Sequence, residues 1–215
     1  FIVSHPDIVV EKKTDSPDED KSVYDSKLLV PTLKDFFAKH LHVHVIQASW
    51  SAPGRRRSSV LSPDSLATRY SIFKRGETYV QFFRKEAVDR IGPFDPVIGP
   101  GTGLPYGCGE DTDYLLRAIE AGLTVMHVSS VHVRHNEVDM AAAKRNAQKI
   151  SSYAIGRMYL LHKHNFSLLF QLFNIAYPLL RIPVEGFAAT RYRIAMFAAR
   201  VKGFFFVRFG VSPKP

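Results

Sequence analysis

The chain has 215 residues, 46% of them hydrophobic, enough for a sizeable core and too many for a disordered chain. Its formal charge of +9 and pI of about 9.7 favour anionic partners: nucleic acid, nucleotide-bearing substrates or an acidic membrane surface. Cys108 is the only cysteine, which excludes an internal disulfide framework and a multi-cysteine metal site and fits a reducing compartment.

The first ten residues read as the end of a helix or loop followed by a short strand. Residues 11–25 are charged and poor in large apolar side chains, as a solvated loop is. Asp18-Glu19-Asp20 has acid-x-acid spacing, but no apolar strand precedes it to hold such a pair rigidly, so it reads as a solvated charge run. After Pro31 the spacing predicts an amphipathic helix with Leu33, Phe36, Phe37 and Leu41 on one side. Residues 41–46 then alternate as a strand, with His42 and His44 on one face. Arg55-Arg56-Arg57 falls in a loop.

From residue 78 the pattern tightens. Residues 78–83 read as a buried strand and 85–91 as a short helix stopped by Gly92-Pro93. A glycine-rich loop over residues 99–109 follows, whose small residues leave room for another molecule to approach the backbone. Next comes Glu110-Asp111-Thr112-Asp113, three acids within four residues at the start of a helix. Leu115, Ala118 and Ile119 recur at helical spacing, Asp113 can pair with Arg117 one turn on, and Gly122 supplies the stop. One acid suffices to cap a helix, so three in the first turn mark a candidate site. Residues 123–128 and 131–135 read as two further extended segments, which makes the whole an α/β arrangement.

Several blocks in this region resemble the C-terminal half of a family 2 glycosyltransferase of the GT-A fold. They are Phe83-Arg84-Lys85-Glu86-Ala87, Ile91-Gly92-Pro93-Phe94-Asp95, Gly109-Glu110-Asp111-Thr112-Asp113-Tyr114, then Arg117, Ala121-Gly122 and the closing His135. The resemblance implies a partial GT-A, Rossmann-like domain over residues 1–140, followed by a helical tail over residues 141–215. It implies transfer of a sugar from a nucleotide-sugar donor to a glycan or lipid-linked acceptor with inversion. Asp111 would be the general base and Glu110 its helper, while Tyr106, Gly107, Gly109 and Asp113 would contact substrate. A divalent cation, Mn or Mg, would be held mainly by an acid-x-acid pair of the donor-binding half, with His135 able to complete its shell. That donor-binding half is not recognisable in the sequence, and the chain, which opens at Phe1, is expected to be the C-terminal part of such an enzyme.

In the tail, residues 141–215, the only acid is Glu185, against twelve lysines and arginines. The apolar run 166–180 is shorter than the roughly twenty residues of a spanning helix and is interrupted by Gln171, Asn174 and Pro178. The tail is therefore expected to lie on an anionic membrane surface, at the cytoplasmic face, rather than cross it. Two other classes stay open. One is a non-catalytic glycosyltransferase-like docking module. The other is a basic nucleic-acid-binding protein, for which no binding motif is present, so no nucleic acid is expected.

Overall fold

The computed structural model describes residues 26–51, 64–74, 80–100, 102–134, 147–186 and 189–210. The short strand expected within the first ten residues, the charged run through Asp25, Arg55-Arg56-Arg57 and His135 lie outside them. The chain divides into two compact units, residues 1–94 with 114–138 and residues 95–113 with 139–215.

In the first unit, helix α1 (Ser26–Lys39) is followed by strands β1 (Val45–Ser51), β2 (Ser65–Leu66) and β3 (Gln81–Phe83) and by helix α2 (Lys85–Ile91). Helix α3 (Glu110–Glu120) and strand β4 (Val125–Arg134) complete it, the division between units falling within α3. The sheet is mixed, in the order β2-β4-β1-β3, with β1 parallel to β4 and the other two pairs antiparallel. The fold class is thus α/β, as the alternation of patterns predicts.

Leu33, Phe36 and Phe37 of α1 join Ile46, Ala48, Phe82, Val128 and Val133 in one apolar cluster. Helical spacing on one side and strand alternation on the other bring these residues to a common layer. Leu41 does not join them. The helix stops at Lys39, so Leu41 falls in the following turn and is exposed. The strand also starts later than its alternation suggests, at Val45. His42 therefore stays in the turn, while His44 Nδ1 accepts the Thr124 N–H at 3.0 Å.

The two extended segments expected at 123–128 and 131–135 are one strand with a bulge. Pairing with β1 jumps from Ala48–Val128 to Ser49–His132. The Ser49 hydroxyl fills the irregularity, 3.0 Å from the Val131 carbonyl and 3.2 Å from that of Ser129.

The blocks that carry the resemblance have a mechanical role in this unit. Arg84 Nε donates to the Val43 carbonyl at 2.7 Å, and its Nη2 donates to the carbonyls of Phe37 and His40. It thereby satisfies groups that the end of α1 leaves open, while its guanidinium lies over the Phe37 ring. Tyr114 and Arg117 of α3 do the same for the turn after α2. Tyr114 Oη donates to Gly92 O at 2.9 Å, and Arg117 donates to Ile91 O at 3.0 Å and Pro93 O at 2.9 Å. Phe94 stacks on the Tyr114 ring.

The second unit contains the loop that precedes α3 and helices α4 (Ala147–Lys163), α5 (Leu168–Leu180), α6 (Ile182–Glu185) and α7 (Thr190–Phe209). The sequence suggests a tail set apart at residue 141, yet the loop 95–109 packs with it. Ala154, Met158, Leu160 and Leu161 of α4 are buried, and α7 packs along both α4 and α5. Gly203 allows part of this approach, because a Cβ there would lie 3.0 Å from Ile155 Cα. No described helix is long and apolar enough to cross a membrane.

Replacing Arg84 by Ala is expected to lower unfolding stability by about 2 kcal/mol or more, the scale of buried bonds made by a charged donor. Arg84→Lys should recover only part of it, because an ammonium cannot reproduce the planar fork. Urea unfolding of the three proteins checks this; equal midpoints would remove Arg84 from the frame.

Candidate functional site

The loop of residues 95–109 is shaped by glycine. Gly99 (φ +117°) and Gly109 (φ +108°) hold backbone angles that other residues rarely adopt, and the Gly99 N–H closes the loop on the Tyr106 carbonyl at 2.9 Å. The space left by two of its glycines is occupied by α4. A Cβ on Gly107 would lie 2.0 Å from Ser152 Oγ, and one on Gly109 would lie 2.6 Å from Leu160 Cδ1. In return, a Cβ on Gly156 of α4 would lie 2.5 Å from the Cys108 carbonyl oxygen. Ser152, Gly156 and Leu160 follow one another at helical spacing, so a single face of α4 seats the loop. The Gly107 N–H donates to Ser152 Oγ at 2.8 Å.

Three of the expected substrate contacts therefore serve the protein's own packing. Gly107 and Gly109 admit α4, and the Tyr106 ring lies against Tyr159, with centroids 4.2 Å apart, and near Phe206. Burial, then the neighbouring Tyr159, raises the Tyr106 phenol. Cys108 is inert for a related reason. Burial, followed by the charge of Glu110, pushes its thiol up to about 12.

The fourth, Asp113, is fully buried. Its Oδ1 lies 2.6 Å from Lys163 Nζ and 2.8 Å from His164 Nε2, and Lys163 Nζ also binds Asp95 Oδ2 at 2.6 Å. One ammonium thus bridges two carboxylates, joining both ends of the loop to the end of α4. A charge with no solvent access persists only with such partners, so Asp113 positions the turn instead of meeting a ligand in this conformation. Lys163 and His164 escaped the sequence reading because they lie about fifty residues downstream in what reads as a basic tail. The one signal for them in the sequence is Asp95, which closes a resembling block.

Burial on its own raises Asp95, but the Lys163 hydrogen bond and the Val97 N–H outweigh it and hold the carboxyl below its ordinary value of 3.8. Burial opposes the charge of Lys163, yet its bonds to Asp113 and Asp95 outweigh that and raise it above 10.5.

The first turn of α3 holds two further acids, Glu110 and Asp111, both half-buried. Glu110 lies against the loop backbone, where a Cβ on Gly99 would meet its Cδ and Oε2 at 3.1 Å. Two carboxylates at a helix start, on a loop braced by α4, can accept a proton from a hydroxyl brought to them. Among the described residues, no three His, Cys, Asp or Glu side chains come together as a metal site, and His135 lies outside those residues. In comparisons with known proteins, no family model and no characterised protein matches the chain.

Two outcomes follow from this packing and charge. Gly156→Ala should cost about 1–3 kcal/mol, since a backbone oxygen must move, and a thermal melt reads it. The pH profile of stability should have two limbs. Asp95 contributes in full above 3.8 and loses its contribution as pH falls through its lowered value, whereas Lys163 contributes in full below 10.5 and loses it as pH rises through its raised value. Asp95→Asn should lower the plateau and flatten the acid limb in denaturant titrations from pH 2 to 7; an unchanged acid limb would show that the pair is not coupled to folding.

Proposed function

We propose that the chain forms the acceptor side of an inverting family 2 glycosyltransferase of the GT-A, Rossmann-like type. It would transfer a sugar from a nucleotide-sugar donor to a hydroxyl of a glycan or lipid-linked acceptor at the cytoplasmic face of a membrane. The observation that carries the reading is the pair Glu110-Asp111 in the first turn of α3, on a loop fixed by the Asp95–Lys163–Asp113–His164 network. It is supported by the contacts that tie the resembling blocks together, Arg117 and Tyr114 to residues 91–93.

In the proposed step the acceptor hydroxyl gives its proton to an Asp111 carboxylate oxygen as its own oxygen bonds to the anomeric carbon. The bond from that carbon to the nucleoside diphosphate breaks on the opposite side, and the diphosphate leaves with the electron pair, so the configuration inverts. Glu110, pressed on Gly99, orients the hydroxyl. A divalent cation would be held mainly by the donor-binding half expected of such an enzyme, and its charge would there offset that of the leaving diphosphate. The frame acts through position. A base displaced by an ångström loses much of its effect, and rigid seating on α4 prevents that.

A docking module without catalysis is the second reading, favoured by the outward apolar residues of α5. The test is transfer by the complete gene product that carries these residues. Asp111→Asn should reduce turnover by about two to four orders of magnitude with the melting temperature unchanged, while Glu110→Gln should act on acceptor KM as well. Near-normal turnover in the Asn protein would remove Asp111 from the mechanism, and absence of transfer in the unmodified protein with any nucleotide-sugar would favour the docking module.

A further inference from the structure

Helix α5 is built inside out. Its inward residues include Gln171 and Asn174, only 4% and 5% exposed, whereas Leu169, Phe173 and Leu180 are 80%, 51% and 58% exposed. A helix that packs on its own core shows the reverse polarity. The inversion is fixed by bonds on the polar side. Gln171 Nε2 donates to the Phe166 carbonyl at 2.8 Å, Asn174 Nδ2 donates to the Phe170 carbonyl at 2.9 Å, and Asn174 Oδ1 accepts from Arg157 Nε at 3.2 Å. Turning the helix over would break the bond to Arg157 and expose Ile175 in exchange for Leu169. The outward stripe continues through Val184 of α6, and Phe170, Phe173 and Tyr177 form a succession of neighbouring rings along it.

We infer that this stripe is a membrane-insertion face, seated in the headgroup layer of an anionic bilayer. Charge selects the occupant. α5 carries no charged residue, and the one acid of the tail, Glu185, is bound by Arg181 and Arg193. Exposed Arg191, Lys202 and Arg208 of α7, the helix packed against α5, are left facing solvent beside exposed Ile194, Phe205 and Phe209. An anionic lipid surface complements both parts, apolar residues entering the headgroup region while cations meet phosphates. A second copy of this chain would offer no acid to the exposed cations of α7, since the one acid of the tail is already bound. The inference deepens the proposed function by naming the partner surface of the tail. Its argument uses α5 to α7 and the Arg157 bond from α4, and no residue of α3, so it stands or falls separately from the role of Asp111.

Co-sedimentation of the whole chain with vesicles tests it, using phosphatidylcholine alone and phosphatidylcholine mixed with phosphatidylglycerol. The chain should bind the mixed vesicles, bind the neutral ones weakly, and lose affinity as salt rises. Leu169→Asn combined with Phe173→Asn should weaken binding at least about tenfold, with an unchanged circular dichroism spectrum because both sites are exposed. Arg191→Gln, Lys202→Gln and Arg208→Gln should each cost roughly fivefold on mixed vesicles. Asp111→Asn should bind as the unmodified chain does, which keeps this result apart from the transfer assay. Equal failure on both vesicle types, or undiminished binding by the double Asn variant, would overturn the inference. So would a dimer in gel filtration that the double variant converts to monomer, since the stripe would then belong to a second copy.

Discussion

The bridge from Lys163 to Asp95 and Asp113 is the constraint from which the site region follows. Asp113 is cut off from water, and a buried carboxylate deprived of its cation costs several kcal/mol, so the end of α4 must stay at the first turn of α3. His164 binds the same oxygen as Lys163, a second donor that shares the negative charge. Once α4 is pinned there, its preceding turns run beneath the loop at a distance where a side chain on the loop would collide. Gly107 and Gly109 on one side and Gly156 on the other are what that distance demands. Electrostatics at one end of α4 and sterics along its length thus define one seat.

Helix α3 is divided between the two units. Its first turn is held by α4, while Tyr114 and Arg117 hold the turn after α2 through three carbonyls. Five polar side chains of the resembling blocks are taken up by framework duties: Arg84 at the end of α1, Arg117 and Tyr114 at residues 91–93, and Asp95 and Asp113 on Lys163. The proposed base function rests on Glu110 and Asp111, in the first turn of α3.

What could be read from the sequence was local. The bounds of α2 and α3 follow from Gly92-Pro93, the acidic first turn and Gly122, signals that act within a few residues of where they stand. The bulge in β4 was not legible, since the two segments look separate until β1 supplies Ser49 to bridge the irregularity. Leu41 has the correct helical phase but lies beyond the helix end, and phase cannot reveal length. The loop glycines illustrate the deeper limit. Small residues announce close approach, but the approaching surface can be a ligand or the chain's own helix, and residues 152–160 lie too far away in sequence to decide it.

The same limit applies to α5, where composition gives an apolar helix and only its underside gives its orientation. Arg157 of α4 and Arg200 of α7 both bond to Asn174, one to its side-chain oxygen and one to its backbone carbonyl. Burial, then the charge of Arg200, pushes Arg157 down to about 9, and burial pushes Arg200 down to about 10, so both remain charged at neutral pH. Two poorly solvated cations require oxygen acceptors, and an aliphatic residue at position 174 would withdraw one of them. The polar side of α5 is therefore held inward by the needs of the helices beneath it. With that side fixed, the leucines and phenylalanines have only the outside left, and the outward face of the tail is as much a consequence of buried charge as the seat of α3 is.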